Sequence, residues 1–281
     1  PSNIQSSCSK SIFNIYTYIL TLWNISQASY LIVLNSNLYG GILRKIFGHR
    51  GLPRIYKENT LTGINKANAY CDFVEIDIRL TKDNNLILFH DPNIGDDLIK
   101  DLTLAELDIL LNGESLEDCL LMSRDQLDGK INFEIKTDTL DESEIDILFQ
   151  KMLSILEPND IVSSFNWKAI QSFKDLFNSS YGIIFDKEEE LFQAQSLSNH
   201  DEDLFFMAHH TLIDSRNFDL PKDKTVLWTV NDENDFQRYM EMEIYGIVTD
   251  IPDTMQIYRK WDYGFNWWIK WRFKRSYEGK R

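Results

Sequence analysis

The sequence predicts an α/β fold, a (β/α)₈ TIM barrel with an apolar N-terminal extension and a basic, aromatic C-terminal tail. Short β-like runs alternate with segments whose apolar residues recur at helical spacing, a pattern typical of βαβ units around a parallel sheet. The chain has 281 residues, and a barrel of this kind needs about 250. A doubly wound open sheet is the alternative topology. No Gly-x-Gly-x-x-Gly follows the first predicted strand, which disfavours a dinucleotide-binding fold.

The predicted strands and helices follow one another from Ile42 onward. Nine runs have strand character: LRKIFGH, FVEIDIRL, NLILFH, KINFEIK, DIVSSF, YGIIF, LFFMAH, TVLWTV and YGIVTD. Four segments between them have the apolar spacing of helices: TLTGINKANAY, ESEIDILFQKMLSILE, NWKAIQSFKDLF and ENDFQRYMEME. About eight parallel strands are enough to close a barrel.

Charge divides the chain into three predicted segments. We expect an N-terminal extension at 1–41, a barrel at 42–257 and a tail at 258–281. The net charge is −15, yet residues 1–57 contain no Asp or Glu. The negative charge is therefore concentrated in the predicted barrel. An acidic body repels nucleic acid, so the charge disfavours a general nucleic-acid binder.

The two terminal segments carry different signals. Residues 11–43 lack any charged side chain, but several Asn and Gln residues interrupt them, and amides are costly in lipid. We expect an amphipathic helix packed on the body; a weak membrane anchor and a poorly ordered extension remain alternatives. The tail combines four tryptophans with eight cations. This composition suits peripheral membrane contact, or a final barrel helix whose tryptophans pack inward.

The chain has three scattered cysteines, and none of them forms a CxxC pair. They predict free thiols and a reducing, cytoplasmic location, in which the protein could also associate with a membrane.

Three carboxylates form the candidate metal site. Glu75 and Asp77 are two residues apart on one predicted strand, so both side chains point to the same side of the sheet. Glu134, on a later strand, adds a third oxygen donor. Close carboxylates repel one another in a dry site, and a hard divalent cation such as Mg²⁺ or Ca²⁺ relieves that repulsion. A solvated strand edge is the structural explanation of a single Glu-x-Asp pair and stays the alternative.

Two histidines form the candidate proton carriers. His49 and His90 each follow a predicted strand, and the carboxyl ends of barrel strands open onto one face. Either histidine alone is more often a packed core residue. Together they can supply a general base and a general acid, because imidazole titrates near neutrality. Arg50 offers a planar fork for a phosphate group. The set indicates metal-assisted phosphoryl transfer.

Several motifs together resemble the glycerophosphodiester phosphodiesterase family. They are HRG followed by ENT, then EIDIRLTKD, LFHD, LTLAEL, SLEDCL, NFEIK, SSF, WTVND and GIVTDIPD, all in the family's order between residues 42 and about 255. One departure is AYCDF at 69–73, where family members usually show Gly-Ala-Asp before the acidic strand. The resemblance implies a (β/α)₈ barrel, in agreement with the strand count.

The resemblance also implies an activity, the hydrolysis of a glycerophosphodiester to glycerol phosphate and an alcohol. It implies that His49 and His90 are the acid/base pair and that one divalent cation binds Glu75, Asp77 and Glu134. The positions at which the family contacts its substrate correspond to Arg50, Glu58, Lys136 and Trp228.

Two alternative functions use the same residues. One is a phosphodiesterase directed at lysophospholipids, which would need a wider apolar mouth near Trp228. The other is a non-catalytic barrel that binds a phosphodiester. Retention of both histidines disfavours the second alternative, because a binding protein needs no proton carriers.

Overall fold

The computed structural model describes residues 44–111, 115–176, 179–197 and 201–261. The predicted extension at 1–41 lies outside the described residues, and so does the part of the predicted tail (258–281) that follows residue 261. Among the described residues, no helix has the length and apolar character needed to cross a membrane.

The predicted TIM barrel is confirmed. In chain order, the strands of the described residues are β1 (Lys45–Gly48), β2 (Phe73–Leu80), β3 (Leu86–Leu88), β4 (Asn93–Ile94), β5 (Asp97–Leu98), β6 (Leu120–Leu121), β7 (Ile131–Ile135), β8 (Ile161–Ser164), β9 (Ser180–Phe185), β10 (Leu204–His209), β11 (Thr225–Trp228) and β12 (Gly246–Thr249). Strands β1, β2 and β7 to β12 are parallel, each to its neighbours. Because β1 pairs with both β2 and β12, the sheet closes.

Helices lie between most of the barrel strands. In chain order, the α-helices of the described residues are α1 (Leu61–Ala67), α2 (Leu104–Leu110), α3 (Leu116–Cys119), α4 (Glu142–Met152), α5 (Trp167–Phe173), α6 (Glu188–Leu197), α7 (Glu233–Met240) and α8 (Pro252–Trp261). All four predicted helices are present, as α1, α4, α5 and α7. Their first turns are capped by side-chain oxygens of Thr60, Asp141, Asn166 and Asp232.

The NLILFH run is not a barrel strand, and its placement at the barrel's parallel sheet was wrong. It forms β3, which pairs antiparallel with the end of β2, and β6 then pairs antiparallel with β3. The turn between β2 and β3 explains this. Thr81 donates its N–H to the carbonyl of Asn85, and Asn84 has a φ of 59°. Such a short hairpin reverses the chain, whereas a parallel crossover needs about a dozen residues or more.

The barrel interior changes from apolar to polar along the strands. Its lower part is an apolar cluster of Phe47, Phe73, Ile161, Ile184, Phe205, Met207, Val226 and Val248. Side chains two positions further along a strand point to the same face. This alternation places His49 above Phe47, Glu75 above Phe73 and Asp250 above Val248. The carboxyl ends of the strands thus meet in a polar mouth.

Candidate active site

The three predicted metal ligands lie together at this mouth. Ligand oxygens of Glu75, Asp77 and Glu134 are all within 4.8 Å of one another. Glu75 and Asp77 are 3% and 1% exposed. Strand pairing produces the cluster, because Asp77 on β2 lies directly beside Glu134 on β7. The structure therefore brings together three carboxylates in a region that largely excludes water.

Two cations only partly balance these carboxylates. Lys136 Nζ lies 2.9 Å from Asp77 Oδ1 and also contacts Glu134, while Arg50 Nε lies 3.3 Å from Asp77 Oδ2. Burial raises the pKa of Asp77, but Lys136 and Arg50 outweigh burial and lower it overall. Burial and the charge of Asp77 raise the pKa of Glu75 to about 8. Lys136 and Arg50 thus leave the negative charge of the three carboxylates only partly neutralised.

The donor set fits a hard divalent cation. Every group in the cluster is a carboxylate, which is the kind of ligand that Mg²⁺ and Ca²⁺ prefer. Arg50 donates its backbone N–H to Glu75 Oε2 at 2.9 Å. Within the described part of the chain, the other oxygen of Glu75, Oε1, is buried and has no hydrogen-bond partner. A buried carboxylate oxygen without a partner is costly, and a bound cation would remove that cost.

His49 is held by a carboxylate at the end of β12. Its Nδ1 lies 2.6 Å from Asp250 Oδ1. Asp250 is itself fixed by Asn231, whose Oδ1 accepts the backbone N–H of Asp250 at 2.8 Å and whose Nδ2 donates to Asp250 Oδ2. Burial lowers the pKa of His49, but Asp250 and Glu75 outweigh burial and raise it above its usual value. Asp250 therefore engages Nδ1 of the His49 ring.

His90 has a carboxylate partner of its own. Its Nδ1 lies 2.8 Å from Asp91 Oδ1. The ring reaches the mouth from the segment after β3, not from a barrel strand. His90 lines the cavity together with Glu134 and Lys136. The two histidines therefore reach the mouth from different parts of the chain, His49 after β1 and His90 after β3.

The turn after β1 presents Arg50 to the cluster. Arg50 and Gly51 have φ values of 53° and 95°, in the left-handed region that an Arg rarely adopts. A Cβ at Gly51 would lie 3.0 Å from the backbone of Gly63, so the turn needs a glycine here. Arg50 Nη1 is 3.0 Å from Glu58 Oε1. The predicted phosphate-binding arginine thus bridges Glu58 and Asp77.

A cavity of about 480 Å³ opens beside the cluster. It is lined by His90, Glu134, Lys136 and Phe165 among others. Phe165 packs edge-on against Trp228, with ring centroids 5.7 Å apart. Trp228 donates its indole N–H to the carbonyl of Met207 at 2.8 Å. The aromatic side of the mouth therefore includes the predicted Trp228.

Sequence reasoning missed two asparagines that organise the site. Asn59 donates to Asp77 Oδ2 at 2.7 Å and accepts the backbone N–H of Asp77 at 3.0 Å. It is 2% exposed and has a φ of 53°. Asn231 fixes Asp250 in a similar way. Both lie in quoted motifs, ENT and WTVND, and the tolerance of Asn for left-handed backbone was the available signal at Asn59.

Known proteins share this architecture. The family model described as "Glycerophosphoryl diester phosphodiesterase family" matches residues 49–254. A glycerophosphodiester phosphodiesterase of Caldanaerobacter subterraneus is 25% identical over 241 residues, which cover 75% of this chain and 95% of the relative.

Solved structures agree with the family model. The glycerophosphodiester phosphodiesterase of Thermotoga maritima has a TM-score of 0.57 and 25% identity, covering 76% of this chain and 96% of that one. An Oleispira antarctica phosphodiesterase, solved with the product sn-glycerol-3-phosphate, has a TM-score of 0.59 and 21% identity, covering 76% and 96%. The chain therefore belongs to the glycerophosphoryl diester phosphodiesterase family, whose enzymes hydrolyse glycerophosphodiesters.

Proposed function

We propose that the chain hydrolyses small glycerophosphodiesters to glycerol phosphate and an alcohol, that it depends on Mg²⁺ or Ca²⁺, and that His49 and His90 carry the protons. One observation carries the proposal: each histidine is oriented by its own carboxylate beside three clustered carboxylates. The Oleispira antarctica phosphodiesterase was solved with sn-glycerol-3-phosphate, which supports a glycerol phosphate product here.

Each residue type has a defined task in this proposal. Glu75, Asp77 and Glu134 hold the divalent cation, which when bound supplies positive charge to the phosphate and to an ionising hydroxyl. Arg50 and Lys136 already lie against Asp77, so an incoming phosphate can share them with that carboxylate. Glu58 holds the guanidinium of Arg50, and Trp228 forms the aromatic wall that the glycerol or alcohol part contacts.

The proton transfers follow from the two histidines. One histidine takes the proton of a glycerol hydroxyl, and the hydroxyl oxygen attacks phosphorus to form a cyclic phosphodiester. The other histidine protonates the alcohol oxygen as its bond to phosphorus breaks. Water then opens the ring to give glycerol phosphate. Direct attack by water is the rival route, and a diester whose glycerol lacks the attacking hydroxyl separates them, because only the direct route turns it over.

Mass-spectrometric product analysis tests the proposal. The purified protein is incubated with a panel of glycerophosphodiesters and lysophospholipids, in Mg²⁺, in Ca²⁺ and in EDTA. We expect release of glycerol phosphate from the small diesters, loss of that release in EDTA, and a fall of about 10²–10⁴-fold in His49→Ala and His90→Ala. Full activity in either histidine variant would contradict its role. Silence with every substrate and metal would indicate a binding protein.

A second candidate function has one observation in its favour. Phe165 is 48% exposed beside the cavity, although it is a large apolar side chain. An acyl chain could cover it, as a lysophospholipid-directed phosphodiesterase requires. Turnover of only the acylated members of the same panel would favour this candidate over the first.

We also propose that residues 258–281 contact membranes peripherally, on the grounds of their tryptophan and cation content alone. Pelleting of the full chain with anionic liposomes tests this. Trp267→Ser together with Trp268→Ser should reduce pelleting, and unchanged pelleting would contradict the proposal. The cytoplasmic location stays a prediction.

A further inference from the structure

Arg79 is a buried arginine of the mouth that the proposed mechanism does not use. It lies on β2 two residues after Asp77, and its side chain is 6% exposed. Arg79 Nε and Nη2 both donate to the backbone carbonyl of His90, at 2.9 and 2.6 Å. On its other side, Nη1 donates to Asp138 Oδ1 at 2.7 Å. All three nitrogens of the guanidinium therefore donate hydrogen bonds, and they link the segment that carries His90 to the segment that carries Asp138.

These two segments both line the cavity. One follows β3 and carries His90, and the other follows β7 and includes Lys136 and Asp138. The backbone holds both to β2 as well, since Phe89 donates its N–H to the carbonyl of Asp77 and Lys136 donates its N–H to the carbonyl of Ile78. Arg79 adds the side-chain link between them.

His90 has a particular need for such a link. It is not on a barrel strand, so the closed sheet does not fix it in the way it fixes Glu75 or Glu134. Its ring is 37% exposed, and its own partner, Asp91, is 70% exposed. A catalytic group displaced by about 1 Å can lose about 10²-fold in rate. The double hydrogen bond from Arg79 ties the carbonyl of His90 to β2, in addition to the backbone bond of Phe89 one residue earlier.

We propose that Arg79 is a positioning residue for the reaction: it sets the place of His90 relative to the acidic cluster, with Asp138 orienting its guanidinium. The inference rests on the proposed role of His90 as a proton carrier. The geometry requires a planar fork with several donors, which Lys cannot reproduce although it keeps the charge.

A double-mutant cycle tests this role, because two residues that act through one step are not additive. Arg79→Gln is measured in the wild-type, His90→Ala and His49→Ala backgrounds, with kcat and KM determined on a glycerophosphodiester whose leaving group is an unactivated alkyl alcohol, which must be protonated as it departs. We expect Arg79→Gln to lower kcat by about 10–100-fold with little change in KM. In the His90→Ala background the same change should lower kcat by less than about twofold. In the His49→Ala background it should lower kcat by the same factor as in the wild type. Arg79→Lys should resemble Arg79→Gln.

Arg124 provides a matched control. It is another largely buried arginine, 12% exposed, that donates to the carbonyls of Leu127 and Gly129 and pairs with Asp160, away from the cavity. Arg124→Gln should lower the melting temperature and leave kcat unchanged in every background. If Arg79→Gln does not fold, Asp138→Asn, at a half-exposed position, takes its place in the cycle and should show the same pattern with a smaller factor.

Three results would overturn the inference. The first is an equal loss of kcat in the wild-type and His90→Ala backgrounds, which would indicate a general structural effect. The second is full activity of a folded Arg79→Gln beside an inactive His90→Ala, which would leave the proposed function intact. The third is full activity of Arg79→Lys, which would mean that charge and not position matters. Full activity of His90→Ala itself would instead overturn the proposed function, and this inference with it.

Discussion

In the proposed mechanism, His49 can carry a proton only if the correct ring nitrogen faces the substrate. Asp250 accepts a hydrogen bond from Nδ1–H and so leaves Nε2 as the basic atom. Asn231 then holds the carboxylate of Asp250 from its backbone and from its side chain. The chain of contacts from Asn231 through Asp250 to His49 therefore selects one tautomer and one orientation of the imidazole.

Asp250→Asn should lower kcat by about 10–10³-fold, because an amide N–H facing Nδ1 favours the wrong tautomer while the shape is kept. Steady-state kinetics at constant pH measure the effect. Asp232→Asn makes the same chemical change at the N-cap of α7, where Asn caps as well as Asp. The control should keep full activity; an equal loss in both variants, or none in Asp250→Asn, would contradict the positioning of His49.

Among single residues, the sequence allows prediction of candidate site residues whose type is rare or reactive. It does not allow prediction of those whose role depends on a backbone turn. His49, Glu75 and Asp77 could be selected because their chemistry and spacing are distinctive. Asn59 and Asn231 could not, because Asn is common in loops and their value lies in two hydrogen bonds to one aspartate. Arg50 was expected to bind phosphate, and its contacts to Glu58 and Asp77 depend on a backbone turn that residue type alone does not specify.

Helices α4 and α5 show how the outer layer is held together. Phe149 on α4 is fully buried and stacks on Phe173 of α5, with ring centroids 4.2 Å apart. Phe192 on α6 is 82% exposed. The two residues are both phenylalanine and differ in burial. Comparing their substitutions therefore separates the effect of packing on the free energy of unfolding from the effect of residue type.

Phe149→Ala should lower the free energy of unfolding by about 3–5 kcal/mol, because the change removes buried apolar surface and leaves a cavity. Phe192→Ala should change it by less than about 0.5 kcal/mol. Urea denaturation of the two variants beside the wild type makes the comparison. Similar losses in both variants would mean that the described packing of α4 is wrong.

A cluster before β10 makes stability depend on pH. Asp201 lies 2.7 Å from Lys174 Nζ and accepts a hydrogen bond from Tyr181. Burial raises the pKa of Asp201, but Lys174 and Tyr181 outweigh burial and lower it. Because the pKa of Asp201 is lower in the folded protein than in the unfolded chain, its ionised carboxylate stabilises the fold. This stabilisation is fully present above the unfolded pKa of about 3.9 and is lost as the pH falls through the pKa of the folded state.

Asp201→Asn should therefore be less stable than the wild type by about 1–2 kcal/mol at pH 7, and the difference should shrink as the pH falls below about 4. Denaturation curves at pH 7 and pH 3 measure it. The exposed Asp203→Asn should stay within about 0.5 kcal/mol of the wild type. A difference for Asp201→Asn that is constant between the two pH values would contradict the linkage.

Strands and helices could be predicted where the apolar residues recur at a clear period. Strand β3 shows that this pattern does not predict the direction of a strand. The NLILFH run has strand character, and strand character does not say whether a strand runs parallel or antiparallel to its neighbour. The length of the turn decides this, and the segment from Thr81 to Asn85 is too short for a crossover. Counting the residues between two strand-like runs would have excluded NLILFH from the barrel.

At the scale of the whole molecule, closure of the sheet creates the site. Residues from β1, β2, β7 and β12 are far apart in sequence, and closure places their carboxyl ends around one mouth. The alternation of side chains along each strand could be predicted, so it could also be predicted that Glu75 and Asp77 point to the same side of the sheet. The cavity and the exposed Phe165 in its lining could not, because they depend on loops whose course has no sequence period.

The net charge of −15 also matters at this scale. An acidic body disfavours an anionic phosphodiester unless positive charge lies at the site itself. Arg50 and Lys136 supply two charges, and both are already engaged with Asp77. This balance is the reason why we propose a divalent cation for catalysis.

The most direct test is the rate of glycerol phosphate release by EDTA-stripped protein before and after addition of Mg²⁺ or Ca²⁺. Asp77→Asn and the control Asp232→Asn are measured beside the wild type. We predict that stripping abolishes release, that one of the two cations restores it in the wild type and in Asp232→Asn, and that neither restores it in Asp77→Asn. Undiminished release by the stripped wild-type protein, or full restoration in Asp77→Asn, would contradict a cation held by the three carboxylates.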